Sequence, residues 1–263
     1  MIPESFEYHA PQSLEEAWSL IEGDPEAKIL AGGHSLIPLM KLRLASPSAT
    51  TVGAMTTHAD IGANEALVGR ATALHQAANL IGDQQVRNRG TIGGSLAHAD
   101  PAGDYPAVAL ALGAEIVVKG RGGERVVRAD DWFVGMLTTA LGAGEIVTEV
   151  RFPASTSSAY EKFENPASGY AIVGVAASIK LDGDTASDVR VGVTGAAGTA
   201  FRATSVEDAL RGQRLTPDVI ARASPNAVGT QTMMGDVHAS EEYRRHLVSV
   251  LTERALNRAW LGG

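Results

Sequence analysis

Two stretches of this chain set adjacent glycines just before a serine and an apolar run that favours a helix. They are "KILAGGHSLIPLMKLRL" at 28–44 and "RNRGTIGGSLAHADPAGDYPA" at 87–107. Glycine has no Cβ, so a Gly-Gly pair can reach positive φ and let several N–H groups converge on one point. A helix opening directly after it adds unpaired N–H groups and the positive end of its dipole. Ser35 and Ser95 bring a hydroxyl to each place, and Arg87 and Arg89 precede the second. The pattern reads as an anion site, and two such sites are able to hold the two phosphates of one dinucleotide from opposite sides. A plain tight turn uses the same glycines. Neither stretch is a phosphate loop of the G-x-x-x-x-G-K-[ST] type or a Rossmann fingerprint. The nearest approach to the latter, "GAGEIV" at 142–147, lacks the third small residue. The residues alone therefore stop at a phosphate-bearing ligand in an unusual binding fold.

The rest of the chain divides in two. Up to about residue 155 short strand and helix signals alternate. "FEYHAP" reads as a strand, and "SLEEAWSLIEG" as a helix with Ser13 and Glu16 as its capping box. "AKILAGG" reads as a strand and "LIPLMKLRL" as a short helix with Pro38 in its first turn. "ADIGANEALVGRATALHQAANLIG" is helical in two pieces. "DYPAVALALGA" is a helix capped by Asp104, "AEIVVKGRGGERVVRADDWF" a hairpin, and "EIVTEVRFP" a strand. "ASTSSAY" at 154–160 is small and polar, and marks the expected boundary. Beyond it come two long strands joined at Asp182-Gly183, then helices, the last amphipathic through Leu247, Val250, Leu251 and Leu256. The expected fold class is an α/β unit at 1–155 followed by an α+β unit at 156–263.

Composition narrows the function. The net charge of −8 argues against a nucleic-acid partner, which needs a basic surface. No apolar run reaches the length of a membrane span, and the acidic start carries no signal-peptide core, so a cytoplasmic location is expected. With no cysteine, the chain forms no disulfide and ligates no iron–sulfur cluster through its own thiolates.

Together "AGGHSLIPLMKLRLASP", "GAMTTHADI", "QVRNRGTIGGSLAHADPAGDYPA", "KFENPASGYAIVGVAA" and "GDVHASEEYRRHLVSVLTERAL" resemble, in order and over nearly the whole chain, the FAD-binding medium subunits of molybdenum hydroxylases. Within that xanthine dehydrogenase family the chain looks most similar to the medium subunits of aerobic carbon monoxide dehydrogenases. The resemblance implies a two-subdomain FAD-binding domain of the vanillyl-alcohol-oxidase-like type, split near 50–55, and a C-terminal α+β domain of the carbon monoxide dehydrogenase flavoprotein type. It implies a pyrophosphate grip by Ala31, Gly32, Gly33, His34 and Ser35 and by Thr91, Ile92, Gly93, Gly94 and Ser95. Asp104 matches a FAD contact, Lys162 and Tyr170 match positions beside the isoalloxazine, and Ile81 and Val147 match weaker contacts made through backbone and packing. The chain departs from the family after "KLRLASP": only "SATTV" precedes "GAMTTHA", where relatives carry a longer stretch with a strand and a loop.

The resemblance also implies partners: a large subunit with a molybdopterin-type molybdenum cofactor, a small subunit with two [2Fe–2S] clusters, a dimer of such heterotrimers, and an external electron acceptor. Attachment to the inner face of the membrane, if any, would be made through the complex. No catalytic residue and no metal ligand is expected in this chain. His34 reads as a loop-orienting or cofactor-contacting residue, and His58 and His98, both in "HAD" triplets, as ordinary polar contacts rather than metal ligands. Lys162 and Tyr170 have plainer readings as a surface lysine and a half-buried strand aromatic. Three rivals remain from sequence: a xanthine- or aldehyde-type hydroxylase subunit, a stand-alone FAD oxidoreductase, and a non-redox nucleotide-binding assembly module.

Overall fold

The computed structural model describes residues 13–23, 49–153 and 157–262. The expected strands at 6–11 and 27–33, the helix at 36–44 and the whole first glycine loop, Ala31 to Ser35, lie outside the described residues.

The described elements run α1 (Leu14–Gly23), β1 (Ala49–Gly53), α2 (His58–Gly62), α3 (Thr72–Leu80), α4 (Gln84–Arg87), α5 (Ile92–His98) and α6 (Asp104–Leu112). Then come β2 (Glu115–Gly120), β3 (Gly123–Arg128), β4 (Phe133–Gly135), β5 (Thr138–Thr139), β6 (Ile146–Pro153), β7 (Ser158–Glu164), β8 (Ala171–Asp182), β9 (Thr185–Thr194) and β10 (Phe201–Arg202). Helices α7 (Thr204–Leu210), α8 (Pro217–Ala223) and α9 (Glu241–Trp260) close the chain. The Ser13 hydroxyl accepts from Glu16 N at the start of α1, and Thr216 caps α8 with Pro217 in its first turn.

One antiparallel sheet has the order β1-β6-β2-β3, and a second has β10-β9-β8-β7. The first unit thus mixes helix and strand as expected, but its sheet is antiparallel. The helices fall together between β1 and β2, which run parallel to each other on either side of β6, so they form one long crossover with β6 inserted between its two strands.

The second sheet is covered on both faces, and the period-2 alternation of its strands says by what. Val173, Val175, Ala177 and Ile179 of β8 and Val189, Val191 and Val193 of β9 join a core with Val206, Leu210, Ile220, Val248, Leu251 and Leu256 from the C-terminal helices. The alternate positions face the first unit and are small. Ala176 joins the core that holds Leu74, Tyr105, Val108 and Ile116, and Tyr160 of β7 joins it too, while its neighbour Ala159 belongs to the other core. Helix α6 lies on this face, and all of its residues are buried. Its approach is close: a Cβ built on Gly192 of β9 would stand 2.1 Å from the Ala107 carbonyl oxygen.

Charge ties the units as well. Asp130, in the short turn after β3, accepts from Arg190 at 2.8 Å and pairs with Arg202 and Arg128 at 3.5 and 3.3 Å. Burial pushes its carboxyl up, but the three guanidinium groups outweigh burial and hold it below the usual carboxylate range. Arg190 also donates to the Leu110 carbonyl near the end of α6, and Gly113 closes that helix in the left-handed region at φ 62°.

Two local expectations are corrected. Asp104 is not the cap of α6: Gly103 holds that position, and Asp104 is the first helical residue, with its carboxylate turned into the protein. The boundary segment is shorter than expected, because its end, from Ser158, is already strand β7.

Replacing Gly192 with Ala should cost about 1–3 kcal/mol, the usual range for overpacking a tight contact. Gly122→Ala, at a turn where an added Cβ meets nothing within 4 Å, should stay within about 0.5 kcal/mol of the parent. Urea unfolding of both variants checks the pair.

Candidate functional site

The second glycine loop folds for a reason other than the one its sequence suggests. Helix α5 begins at Ile92, before the glycine pair, with Thr91 as its cap. Thr91 Oγ1 accepts from Gly94 N at 3.2 Å, Ile92 N donates to Thr56 O at 3.1 Å, and Gly93 N donates to Ala54 O at 2.8 Å. Neither Gly93 nor Gly94 has positive φ. The expectation of a left-handed nest is therefore corrected: these N–H groups are satisfied within the chain, and they pin α5 against the segment after β1. Gly93 is glycine because a Cβ there would lie 2.5 Å from Ala54 Cβ. Gly94 is exposed, and a Cβ on it would meet only the Thr91 hydroxyl, at 3.0 Å. It leaves a bare backbone face beside the half-buried Ser95. Arg87, expected to face an anion, donates instead to the Ile81 and Gly82 carbonyls at 2.9 Å each, while Arg89 is exposed.

A second group forms where α6 meets β7. Lys162 Nζ stands 2.9 Å from Asp104 Oδ1 and 3.1 Å from Oδ2, and donates to the Leu80 carbonyl at the end of α3 at 2.9 Å. Tyr160, two residues earlier on the same face of β7, donates its hydroxyl to Asp104 Oδ1 at 2.6 Å. The side chains of Lys162 and Asp104 are 1% and 5% exposed, so this ion pair is desolvated. Burial raises the Asp104 carboxyl, while the charge and hydrogen bond of Lys162 and the hydrogen bond of Tyr160 pull it down and nearby Glu164 adds to the rise. Burial first, and Asp104 second, push the Tyr160 hydroxyl well above its ordinary value.

Tyr170 lies at the open edge of this group, half exposed at 50%. The turn before it is held by Asn165, whose Oδ1 accepts from Ala167 N and Ser168 N and whose N donates to the Tyr170 carbonyl. Gly169 approaches Gly82 so closely that a Cβ would stand 3.1 Å from Gly82 Cα, which puts the loop beside Ile81. Burial, then Asp100 and Asp104, raise the Tyr170 hydroxyl. A cavity of about 190 Å³ opens beside Tyr170, bordered by Asn165, Asp236, His238 and Arg244. A larger recess of about 440 Å³ between β7 and α9 holds none of the expected site residues.

The structure thus brings Asp104, Lys162, Tyr170 and Ile81 together. It places Thr91 to Ser95 in a second patch, which joins Val147 through the pairing of Ala54 N with the Thr148 carbonyl. Val147 itself is buried in β6. His98 lies 4.0 Å from Asp100. His58 is buried, and its Nδ1 meets the Tyr105 hydroxyl at 3.1 Å. Tyr160 was missed from sequence. The signal was present, since Tyr160 and Lys162 share one strand face, but it was read as part of a linker.

Comparison with known proteins gives the family of the chain. The family described as FAD binding domain in molybdopterin dehydrogenase matches residues 4–50 and 46–155, and the CO dehydrogenase flavoprotein C-terminal domain matches 158–259. The two pieces of the first match meet at 46–50, where the sequence is shortened. The medium chain of carbon monoxide dehydrogenase from Hydrogenophaga pseudoflava is 38% identical, with 99% of each chain covered. The medium chain of glyceraldehyde dehydrogenase from Sulfolobus acidocaldarius is 36% identical, over 97% of this chain and 98% of that one. The solved structure of the H. pseudoflava carbon monoxide dehydrogenase lacking the Mo-pyranopterin moiety superposes with a TM-score of 0.89, at 38% identity and 99% coverage of both chains.

His58 yields a pH test. Burial first, and Arg87 second, lower its pKa from 6.5 to about 4. Between those values the unfolded chain holds a proton that the folded chain excludes, so stability rises with pH across that window and is lost as pH falls through it. The loss from about pH 6.5 to about pH 4 should be on the order of 2–3 kcal/mol larger for the parent than for His58→Gln. Urea unfolding across that window reads the difference.

Proposed function

Because the chain belongs to the family of FAD-binding, carbon monoxide dehydrogenase-type flavoprotein subunits of molybdopterin dehydrogenases, we propose that it is the electron-transfer subunit of such an enzyme. Its division of labour is carried over from the resemblance, and the two described patches support it. Thr91 to Ser95, with the exposed Gly94 face, and Ala31 to Ser35 hold the pyrophosphate, with Arg89 adding positive charge. Ile81 and Val147 shape the floor by backbone and packing. Asp104 fixes Lys162, whose ammonium sits at the inner edge of the site, and Tyr170 covers its outer edge. The lining fits the cofactor: a backbone face without Cβ at Gly94, the Ser95 hydroxyl, and the half-exposed Tyr170 ring near the buried Lys162–Asp104 pair.

When bound, FAD supplies the redox chemistry, accepting electrons and releasing them to an acceptor. The chain positions and tunes it. An ammonium held in a desolvated place favours electron uptake by a neighbouring ring, because its field is poorly screened there. No nucleophile or general base is required of these residues.

With no cysteine, the chain ligates no iron–sulfur cluster through its own thiolates, so a thiolate-ligated cluster that donates to this site belongs to a partner chain. The partners are a small subunit with two [2Fe–2S] clusters and a large subunit with the molybdenum cofactor, assembled as a dimer of heterotrimers in the cytoplasm, with an external carrier as final acceptor. No described helix is long and apolar enough to cross a membrane. Carbon monoxide is the substrate favoured by the resemblance. A glyceraldehyde enzyme stands at nearly the same identity, and the substrate is recognised in the large subunit, not here. The proposed FAD-binding unit spans residues 1–155 and the C-terminal unit 156–263.

The observation that carries the reading is the buried Lys162–Asp104 pair beside a half-exposed Tyr170. The purified chain should show the absorption bands of oxidised flavin and release equimolar FAD on heating. A chain that stays colourless with FAD and partner subunits present would overturn the reading. Lys162→Met alone should cost about 3–5 kcal/mol of stability, because it leaves Asp104 buried and unpaired. Lys162→Met with Asp104→Asn should recover much of that loss yet still bind FAD about ten- to a hundredfold more weakly than the parent. Gly94→Val, which fills the bare face, should weaken FAD binding without the strain of a positive-φ site. Equilibrium dialysis and thermal unfolding separate these effects.

A further inference from the structure

We propose that Tyr160 is a positioning residue for the flavin site: its buried hydroxyl holds the Asp104 carboxylate, and through it the ammonium of Lys162, in place. The proposal rests on the reading that Lys162 borders the flavin.

The geometry is specific. Tyr160 is 1% exposed, and its hydroxyl donates to Asp104 Oδ1 at 2.6 Å. Its backbone N donates to Gln76 Oε1 of α3 at 2.8 Å, so the strand is fixed to the same helix whose Leu80 carbonyl receives Lys162. The opposite strand leaves room for the phenol: a Cβ on Gly174 of β8 would lie 2.2 Å from the Tyr160 oxygen. Glycine at 174 is therefore a steric requirement of the hydroxyl at 160. A phenylalanine at 160 would fill the core equally well, so packing does not explain the hydroxyl. What the hydroxyl adds is a second donor to a carboxylate that has almost no solvent.

That donor decides where protons go. The groups facing Asp104 are Lys162, Tyr160 and Glu164 on β7, Tyr105 beside it on α6, and Tyr170 at the edge. Lys162 and Tyr160 favour the ionised carboxylate, while burial and Glu164 oppose it. Without the hydroxyl, Asp104 takes up a proton at a higher pH. The group then carries one more positive charge, whichever of Asp104 and Lys162 holds the proton. A positive charge added beside the flavin raises its midpoint potential.

The test is a spectroelectrochemical titration of the full-length chain saturated with FAD, from about pH 6 to about pH 9. Tyr160→Phe should show a midpoint more positive than the parent at the acid end, with the difference closing toward the alkaline end. Gly174→Ala, which keeps the phenol but displaces its oxygen, should do the same. In an Asp104→Asn background, Tyr160→Phe should add no pH-dependent difference. A purely structural tyrosine would lower the unfolding temperature while leaving the midpoint curve of the parent unchanged, and that outcome overturns the proposal. So does an equal shift with and without the Asp104 carboxylate. If Lys162→Met/Asp104→Asn leaves both FAD affinity and midpoint unchanged, the flavin does not border Lys162, and the site reading falls together with the proposal. If that double variant shifts them and Tyr160→Phe does not, the proposal alone falls.

Discussion

A carboxylate buried at the first turn of a fully buried helix is the constraint on which the described site turns. Asp104 cannot stay charged there without partners, since an ion taken from water costs several kcal/mol unless it is paired and hydrogen-bonded. The helix N-terminus contributes positive potential. The decisive groups come from the other unit: β7 carries both Lys162 and Tyr160 to Asp104. The first strand of the second sheet thus completes a polar group begun by the first unit, and the two units are not independent at this point. The Lys162 contact with the Leu80 carbonyl adds a third element, so α3, α6 and β7 converge within one hydrogen-bond network.

The sheet that makes this possible is asymmetric. Branched residues of β8 and β9 face the C-terminal helices, whereas small residues, Gly174, Ala176 and Gly192, face α6 and Tyr160. Large side chains on that second face would hold α6 away, and the Asp104 carboxylate would no longer reach Tyr160 and Lys162. The Asp130 group of arginines works in the same sense at the far end of α6, where Arg190 binds both Asp130 and the Leu110 carbonyl. One helix is therefore held to the second unit at both ends by charge and along its length by close packing.

Much of this was legible in the sequence, and the failures have physical causes. The turn at Gly183, the caps at Ser13 and Thr216 and the long last helix follow from local chemistry that the structure keeps. The glycine pair at 93–94 misled because its composition fits a nest, while tertiary contact used it otherwise: Gly93 is small so that α5 can lie against Ala54. Asp104 was read as a cap because Asp before Pro106 suits that place, and local sequence cannot show that β7 will offer its carboxylate better partners. Tyr160 was lost to a polar, small-residue neighbourhood that resembles a linker, although its alternation with Lys162 was readable. The four-residue helix α4 and the two-residue strand β5 are too short to leave a periodic signal. The matched family pieces meet at 46–50, where relatives carry extra residues, yet β1 pairs along its whole length with β6.

The central claim is that the group of Asp104, Tyr160 and Lys162 borders a flavin whose phosphates lie at the glycine-bearing start of α5. A crystal structure of the chain with FAD bound tests it most directly. The ring system should lie beside Lys162 and Tyr170 and the pyrophosphate against Gly94 and Ser95, with the Tyr160 hydroxyl still on Asp104. Density for FAD in the recess between β7 and α9, or at any place that leaves Lys162 and Gly94 untouched, would contradict it.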